Sequence, residues 1–209
     1  MNHEPSTAEM VLSIAHIAPV TEAEGPGRRF ALWFQGCPLR CPGCCNPEML
    51  PFAGGSAMLL ADLAAQIHDA RERHGIEGIT LLGGEPTAHA AGAARLAQAA
   101  HALDLSVMVF SGYLLEELQQ SSDPAVHTLL SQTDILVDGP YERDQPETVR
   151  RWIGSANQRV HFLSDRCPTI EDDPRWHLPN TLEIRLTNGE LTVNGFPSRG
   201  AIGLWKRMK

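Results

Sequence analysis

The stretch "RRFALWFQGCPLRCPGCCN", residues 28–46, runs an apolar segment straight into a loop that holds four of the chain's five cysteines. "RRFALWFQG" reads as a β-strand that ends at the first cysteine. The loop spaces its thiols as C-x3-C-x2-C at Cys37, Cys41 and Cys44, and Cys45 follows at once. Three thiolates from one tight turn suit a cubane iron–sulfur cluster. Such a cluster has four irons, and three protein ligands leave one iron open for chemistry. Structural zinc sites usually take four ligands and paired C-x2-C knuckles, so a zinc loop with Cys45 as fourth ligand is the alternative. Adjacent cysteines seldom both reach one metal. Pro38, Pro42 and Gly43 fix the turn and let backbone N–H groups approach sulfur.

The rest of the chain says what kind of scaffold carries that loop. At 209 residues it is long enough for one domain with a sizeable core, and residues 1–209 read as a single domain. Its 43% hydrophobic and 20% charged residues place it among folded, globular chains rather than disordered ones. A net charge of −8 argues against a nucleic-acid surface, which needs clustered Lys and Arg. No apolar run is long enough to span a membrane, and "MNHEPSTAEM" lacks the basic start of a signal peptide, so a cytoplasmic protein is expected. In a reducing compartment, clustered cysteines favour metal ligation over disulfides.

Strand and helix patterns alternate. "VLSIAHIAPV" reads as a short leading strand. "AMLLADLAAQIHDARERHG" reads as a helix with Leu59, Leu63, Ile67 and Ala70 on one face, Ser56 as its cap and Gly75 at its end. "GITLLGG" is a strand, followed by an Ala-rich helix over about residues 87–103. "LSVMVFSG", "DILVDG" and "RVHFLS" are further strands, with helical "YLLEELQQ" and "AVHTLLSQ" between the first two. Such alternation implies parallel pairing through right-handed crossovers. Residues 164–180 read as an irregular loop, and "TLEIRLTNGELTVNGF" as a hairpin turning at Asn188-Gly189. The expected fold is α/β, an incomplete (β/α) TIM-like barrel with a C-terminal β-hairpin; its core spans about residues 11–163.

In α/β folds, sites collect at the C-terminal ends of the strands. Four unusual loops fall there: the cysteine loop, "GGEPT" (83–87), "SGY" (111–113) and "DGPYERD" (138–144). Ser111 and Asp138 are each placed to hydrogen-bond a ribose or a carboxylate, or else to serve as a cap or turn residue. Asn157 lies in a polar loop near the same rim, and Arg159 is a candidate for pairing with a carboxylate. Cys167 reads as a lone thiol. His16, His68 and His127 fall in helix or strand patterns and read as ordinary core or surface histidines.

The C-x3-C-x2-C loop resembles the defining motif of the radical SAM superfamily. The resemblance implies that Cys37, Cys41 and Cys44 ligate a 4Fe–4S cluster whose fourth iron binds S-adenosyl-L-methionine (SAM). It also implies that Gly83, Gly84, Glu85 and Pro86 contact the SAM amino group. "EGPGRRFALWFQGCPLRCPGC", "FSGY", "DILVDGPYERD" and "WIGSANQRV" are similar to the glycyl-radical-enzyme activases, most of all those that activate anaerobic ribonucleotide reductases. That branch implies reductive SAM cleavage, hydrogen abstraction from a glycine of a protein partner, and an electron donor such as flavodoxin or ferredoxin. Other targets, a ribosomally made peptide or a small molecule, stay open, as does a non-catalytic iron–sulfur or zinc module. The tail beyond residue 164 exceeds what a short activase needs. Its hairpin is expected to cover a barrel edge and the 164–180 loop, with Trp176, to border the substrate opening; a purely stabilising cap is the alternative.

Overall fold

The computed structural model describes residues 10–166, 170–187 and 189–196. Cys167 and Asn188 lie outside them. Strand β1 (Val11–Thr21) leads antiparallel into β2 (Arg29–Phe34), and β3 (Ser56–Leu59) pairs with the other side of β1. Helix α1 (Leu60–His74) crosses over to β4 (Gly78–Gly83), and α2 (Ala90–His101) crosses to β5 (Ser106–Phe110). Two short helices, α3 (Leu115–Gln119) and α4 (Pro124–Ser131), lead to β6 (Ile135–Asp138); β7 (Arg159–Phe162) then returns antiparallel. The seven strands lie in the order β3-β1-β2-β4-β5-β6-β7, with β2, β4, β5 and β6 mutually parallel. The architecture is thus mixed α/β with a central sheet parallel at its heart. The ladders among the described residues leave it open between β3 and β7.

The α1 segment departs from the sequence expectation. Residues 56–59 extend the sheet along β1 instead of starting the helix, so Ser56 is a strand residue and Leu59 is exposed. The buried stripe is Leu60, Leu63, Ile67 and Ala70, with Gly75 ending the helix at φ 58, a left-handed conformation that costs glycine little. Short-range alternation won over helical periodicity because β1, at 11 residues, offers a free edge to pair with.

Alternation along the strands divides the molecule. Phe30, Leu32, Phe34, Ile79, Leu81, Val107, Val109 and Leu136 face the helices in one large core. Ala31, Trp33 and Leu82 face the opposite side, which carries no α-helix among the described residues. There the 140–158 loop and residues 170–178 supply a second core, where Trp176 meets Trp152 edge-on at 4.9 Å and Phe162 at 6.0 Å. Trp176 is therefore a core residue, contrary to its expected place at the substrate opening, and its indole N–H donates to Ile170 O at 2.7 Å.

The C-terminal hairpin, β8 (Leu182–Thr187) and β9 (Glu190–Gly195), forms a sheet of its own. It docks on the far end of β1, past the residues that β3 pairs with, and on the turn that follows. Glu183 accepts from Glu22 N at 2.7 Å, Asn194 Nδ2 donates to Thr21 Oγ1 at 2.9 Å, and Arg185 donates to Val20 O. Its polar face turns inward because those polar groups need partners, which leaves Ile184, Leu186 and Leu191 exposed.

Candidate active site

Parallel pairing puts the ends of β2, β4, β5 and β6 on one rim, and all four singled-out loops lie there. The loops are stitched to one another. Gly84 N donates to Phe34 O at 2.8 Å and Glu85 N to Gly36 O at 2.9 Å, tying "GGEP" to the entry of the cysteine loop. That loop is closed by Gly36 N on Met49 O and Cys37 N on Leu50 O. Gln35 Nε2 reinforces the closure with bonds to Glu48 O at 3.0 Å and Pro51 O at 2.7 Å.

Cys37 is buried, Cys41, Cys44 and Cys45 are half-buried, and none of the four is in a disulfide. Burial pushes the Cys37 thiol up, while backbone N–H groups of Arg40 and Leu39 donate to its sulfur and pull the other way. Arg40 reaches that position with φ 51, a strained conformation for a non-glycine residue. Cys44 is pushed up by burial as well, and the Asn46 N–H donates to it. Cys37, Cys41 and Cys44 sense one another electrostatically, as thiols around one small volume do. Among the described residues no three His, Cys, Asp or Glu side chains converge on a single metal ion. A cubane asks for something else: thiols spread over separate irons, with N–H groups aimed at the sulfurs to tune the potential. The donor set here fits that group. Cys45, the alternative fourth ligand, is hydrogen-bonded to the Tyr141 hydroxyl and lines a cleft instead.

Glu85 is 1% exposed and forms the knot of the rim. Its carboxylate accepts from Thr87 N at 3.0 Å, Thr87 Oγ1 at 2.7 Å, Ser111 Oγ at 3.0 Å and Gly112 N at 2.9 Å. Burial pushes its carboxyl up, and those four donors oppose the shift. Ser111 is thereby engaged with Glu85 and holds the "SGY" turn through Tyr113 N. Gly84 is a close-approach position: a Cβ there would stand 2.2 Å from Gly36 O. Pro86, buried, opens a 3-10 turn.

Asp138 is fully buried and caps α3 through Leu115 N at 2.7 Å. Arg159 bonds it through Nε at 3.0 Å, and His161 Nε2 stands 3.1 Å away. Burial would raise the Asp138 carboxyl, but these partners prevail and hold it below the usual carboxylate range. The expected Arg159–carboxylate pair is therefore present, with Glu116 as a second acid on its outer side. Asn157 Nδ2 donates to Pro140 O at 2.8 Å and closes the "DGPYERD" loop. The structure thus brings Gly83, Gly84, Glu85, Pro86 and Ser111 together beside the cysteine loop and sets the Asp138 side chain into the neighbouring strand network.

Sequence reasoning missed three features. His89 stacks on Phe34 at 5.1 Å and bonds Gln35 O at 2.8 Å, bracing the loop entry. Tyr141 reaches Cys45 from the β6 rim loop. The face opposite the α-helices holds a cleft of about 960 Å³ that starts at Cys45 and Asn46, crosses Trp33, Leu82 and His16, and ends at the C-terminal hairpin. Only the oddness of "DGPYERD" signalled Tyr141; the cleft depends on tertiary packing alone.

A parallel-centred sheet with Cys37, Cys41 and Cys44 around one rim loop is an arrangement able to hold a single iron–sulfur cluster. A family model described as "4Fe-4S single cluster domain" matches residues 23–161. Proteins named anaerobic ribonucleoside-triphosphate reductase-activating protein are similar. Those of Vibrio cholerae serotype O1 and Salmonella typhi are 30% and 32% identical over 68% and 69% of this chain and 93% and 95% of their own. That of Enterobacteria phage T4 is 28% identical over 71% of this chain and 93% of its own. A solved structure of QueE from Escherichia coli overlaps 51% of this chain and 55% of that one, with a TM-score of 0.39 and 21% identity. The chain belongs to the 4Fe-4S single-cluster family, within the branch of the anaerobic ribonucleoside-triphosphate reductase-activating proteins. It is an activating enzyme with a 4Fe–4S cluster as its cofactor. No helix among the described residues is long and apolar enough to cross a membrane.

Proposed function

We propose that this protein generates a glycyl radical on an anaerobic ribonucleotide reductase-like partner. When bound, the cluster and SAM supply a one-electron cleavage that yields methionine and a 5′-deoxyadenosyl radical able to take a hydrogen atom from a glycine. Cys37, Cys41 and Cys44 would hold the cluster, while the N–H groups of Leu39, Arg40 and Asn46 stabilise charge on the sulfurs. Gly83 and Gly84 would let backbone approach SAM beside the cluster, and Pro86 would fix that turn. Glu85 acts by position: it locks the "GGEP" and "SGY" loops in register, with Ser111 as its partner. Asp138 does the same for the fourth loop through α3 and Arg159. The open sheet and the cleft on its face away from the α-helices suit an incomplete barrel that admits a segment of another protein. Flavodoxin or ferredoxin would supply the electron.

The observation that carries this reading is the set of three cysteines around one rim loop, with backbone N–H groups aimed at two of them. Anaerobic reconstitution followed by reduction tests it. The wild type should load one four-iron cluster and release 5′-deoxyadenosine from SAM. Cys37→Ala, Cys41→Ala or Cys44→Ala should abolish both, while Cys45→Ala keeps the cluster. A Cys41→Ala variant with full cluster content would refute the ligand set. A second reading, action on another peptide or small molecule, draws on the chain beyond residue 161, where the family match stops. Absence of a radical on the reductase despite vigorous SAM cleavage would favour it.

A further inference from the structure

Four consecutive residues of β9, Thr192, Val193, Asn194 and Gly195, all line the cleft. Successive strand residues point to opposite faces, so one cavity touches all four only if it runs along the strand's open edge. The hydrogen-bond phase of that edge follows from the hairpin. Facing pairs in an antiparallel ladder alternate between bonded and non-bonded. Gly195, opposite Leu182, turns its N–H sideways to Glu24 Oε1 at 2.6 Å, so its pair is non-bonded. The pairs Val193–Ile184 and Leu191–Leu186 then share that phase. The two-residue connection between Thr187 and Glu190 gives the same phase from the other end, since the pair closing such a turn is bonded. Val193 therefore presents both its N–H and its C=O away from β8, and neither has a partner among the described residues.

We propose that this edge binds an extended segment of the partner protein by strand addition, laying it in the cleft that leads to the cysteine loop. The proposal rests on the protein-activating function above and names how the protein substrate is recognised. The main chain of the segment would pair with Val193, and Leu191 would extend the pairing outward. Exposed strand edges are templates for this mode of recognition, in which main-chain bonds give affinity. A segment centred on glycine fits, because backbone pairing asks nothing of its side chains. Trp33 and Leu82 give the cleft an apolar stretch, and Glu48, Arg143, Glu147 and Arg150 line it nearer the cysteine loop, so main-chain pairing can be joined by contacts of either polarity. The hairpin lies beyond residue 161, so this recognition would be an addition to what the family match covers.

The test is an N-methyl scan with the reconstituted holoprotein. The probe is a capped heptapeptide of alternating serine and valine around a central glycine, with versions methylated at one amide each. Methylation of amides that face β9 should weaken binding about tenfold, and methylation of the intervening ones should leave it unchanged. Val193→Pro removes one edge donor without touching the ladder, as proline is tolerated there. It should weaken the parent peptide about tenfold and leave peptide-free 5′-deoxyadenosine formation as it was. Equal affinity across the scan, or no binding of any version at millimolar concentration, overturns the proposal. So does a dimer of this chain that holds the edge and is not displaced by peptide. An alternating scan in a protein that cannot cleave SAM would instead overturn the activating function and leave the strand addition standing.

Discussion

Replacing Glu85 tests whether its carboxylate positions loops or serves as an exposed ligand. Glu85→Ala strands two backbone donors, Thr87 N and Gly112 N, which cannot re-aim, and two hydroxyls, on Thr87 and Ser111, which can rotate. Each buried donor left without a partner costs about 1–3 kcal/mol, so the two fixed ones account for roughly 2–6 kcal/mol. Glu85→Gln keeps the shape but sets an amide N–H₂ against either Thr87 or Gly112, for about 1–3 kcal/mol. In a domain of this size 1 kcal/mol moves the midpoint by about 2–4 °C. Thermal unfolding under anaerobic conditions should then show Gln lowering Tm by roughly 5 °C and Ala by roughly 10 °C or more. SAM affinity, by calorimetry on folded protein, should fall in the same order, because the rim loops slip. A Glu85→Ala protein that melts within 1 °C or so of wild type would refute the knot.

Three other outcomes follow from the same geometry. Burial pushes the Glu24 carboxyl up to about 7, with the Gly195 N–H and Asn194 pulling the other way. Its folded value lies above its unfolded one, so its contribution to stability is complete below about pH 4.5 and is lost as pH rises through 7, by up to ~3 kcal/mol. Glu24→Gln should flatten denaturant midpoints across that window, and an unchanged slope would contradict the burial. Gly84→Val should cost cluster as well as SAM, since the new side chain meets Gly36 O at 2.2 Å or less at the mouth of the cysteine loop; full iron content in the folded variant would oppose this. Trp176→Ala should destabilise by about 3–5 kcal/mol as a core truncation while SAM cleavage per folded molecule holds, measured by urea unfolding and 5′-deoxyadenosine yield.

Much of the rim was legible because its signals are local. A strand pattern that stops at a cysteine, and another that stops at "GGEP", fix the loop positions once parallel pairing is granted, and the ladders align Phe34 with Gly83. What local pattern cannot carry is the use of a polar group. Ser111 reads equally as ligand or turn residue until Glu85 is seen 3.0 Å away, across 26 positions of sequence. Ser56 read as a helix cap and Leu59 as part of the helical stripe, yet the free edge at Val11–Ile14 drew them into the sheet. Trp176 sat in a Pro- and Asp-rich stretch that looks like surface; two aromatic partners from distant segments bury it. The hairpin was visible from its alternation, but not that its polar face would turn inward to satisfy the end of β1 and the turn after it.

The most direct measurement of the central claim is the electron paramagnetic resonance spectrum of an anaerobic ribonucleotide reductase incubated with the reduced protein and SAM. The account predicts an organic radical doublet on the reductase that collapses to a singlet when the reductase carries α-deuterated glycine, and that is absent with Cys41→Ala. No radical with a fully loaded cluster, or the same doublet from Cys41→Ala, would contradict it.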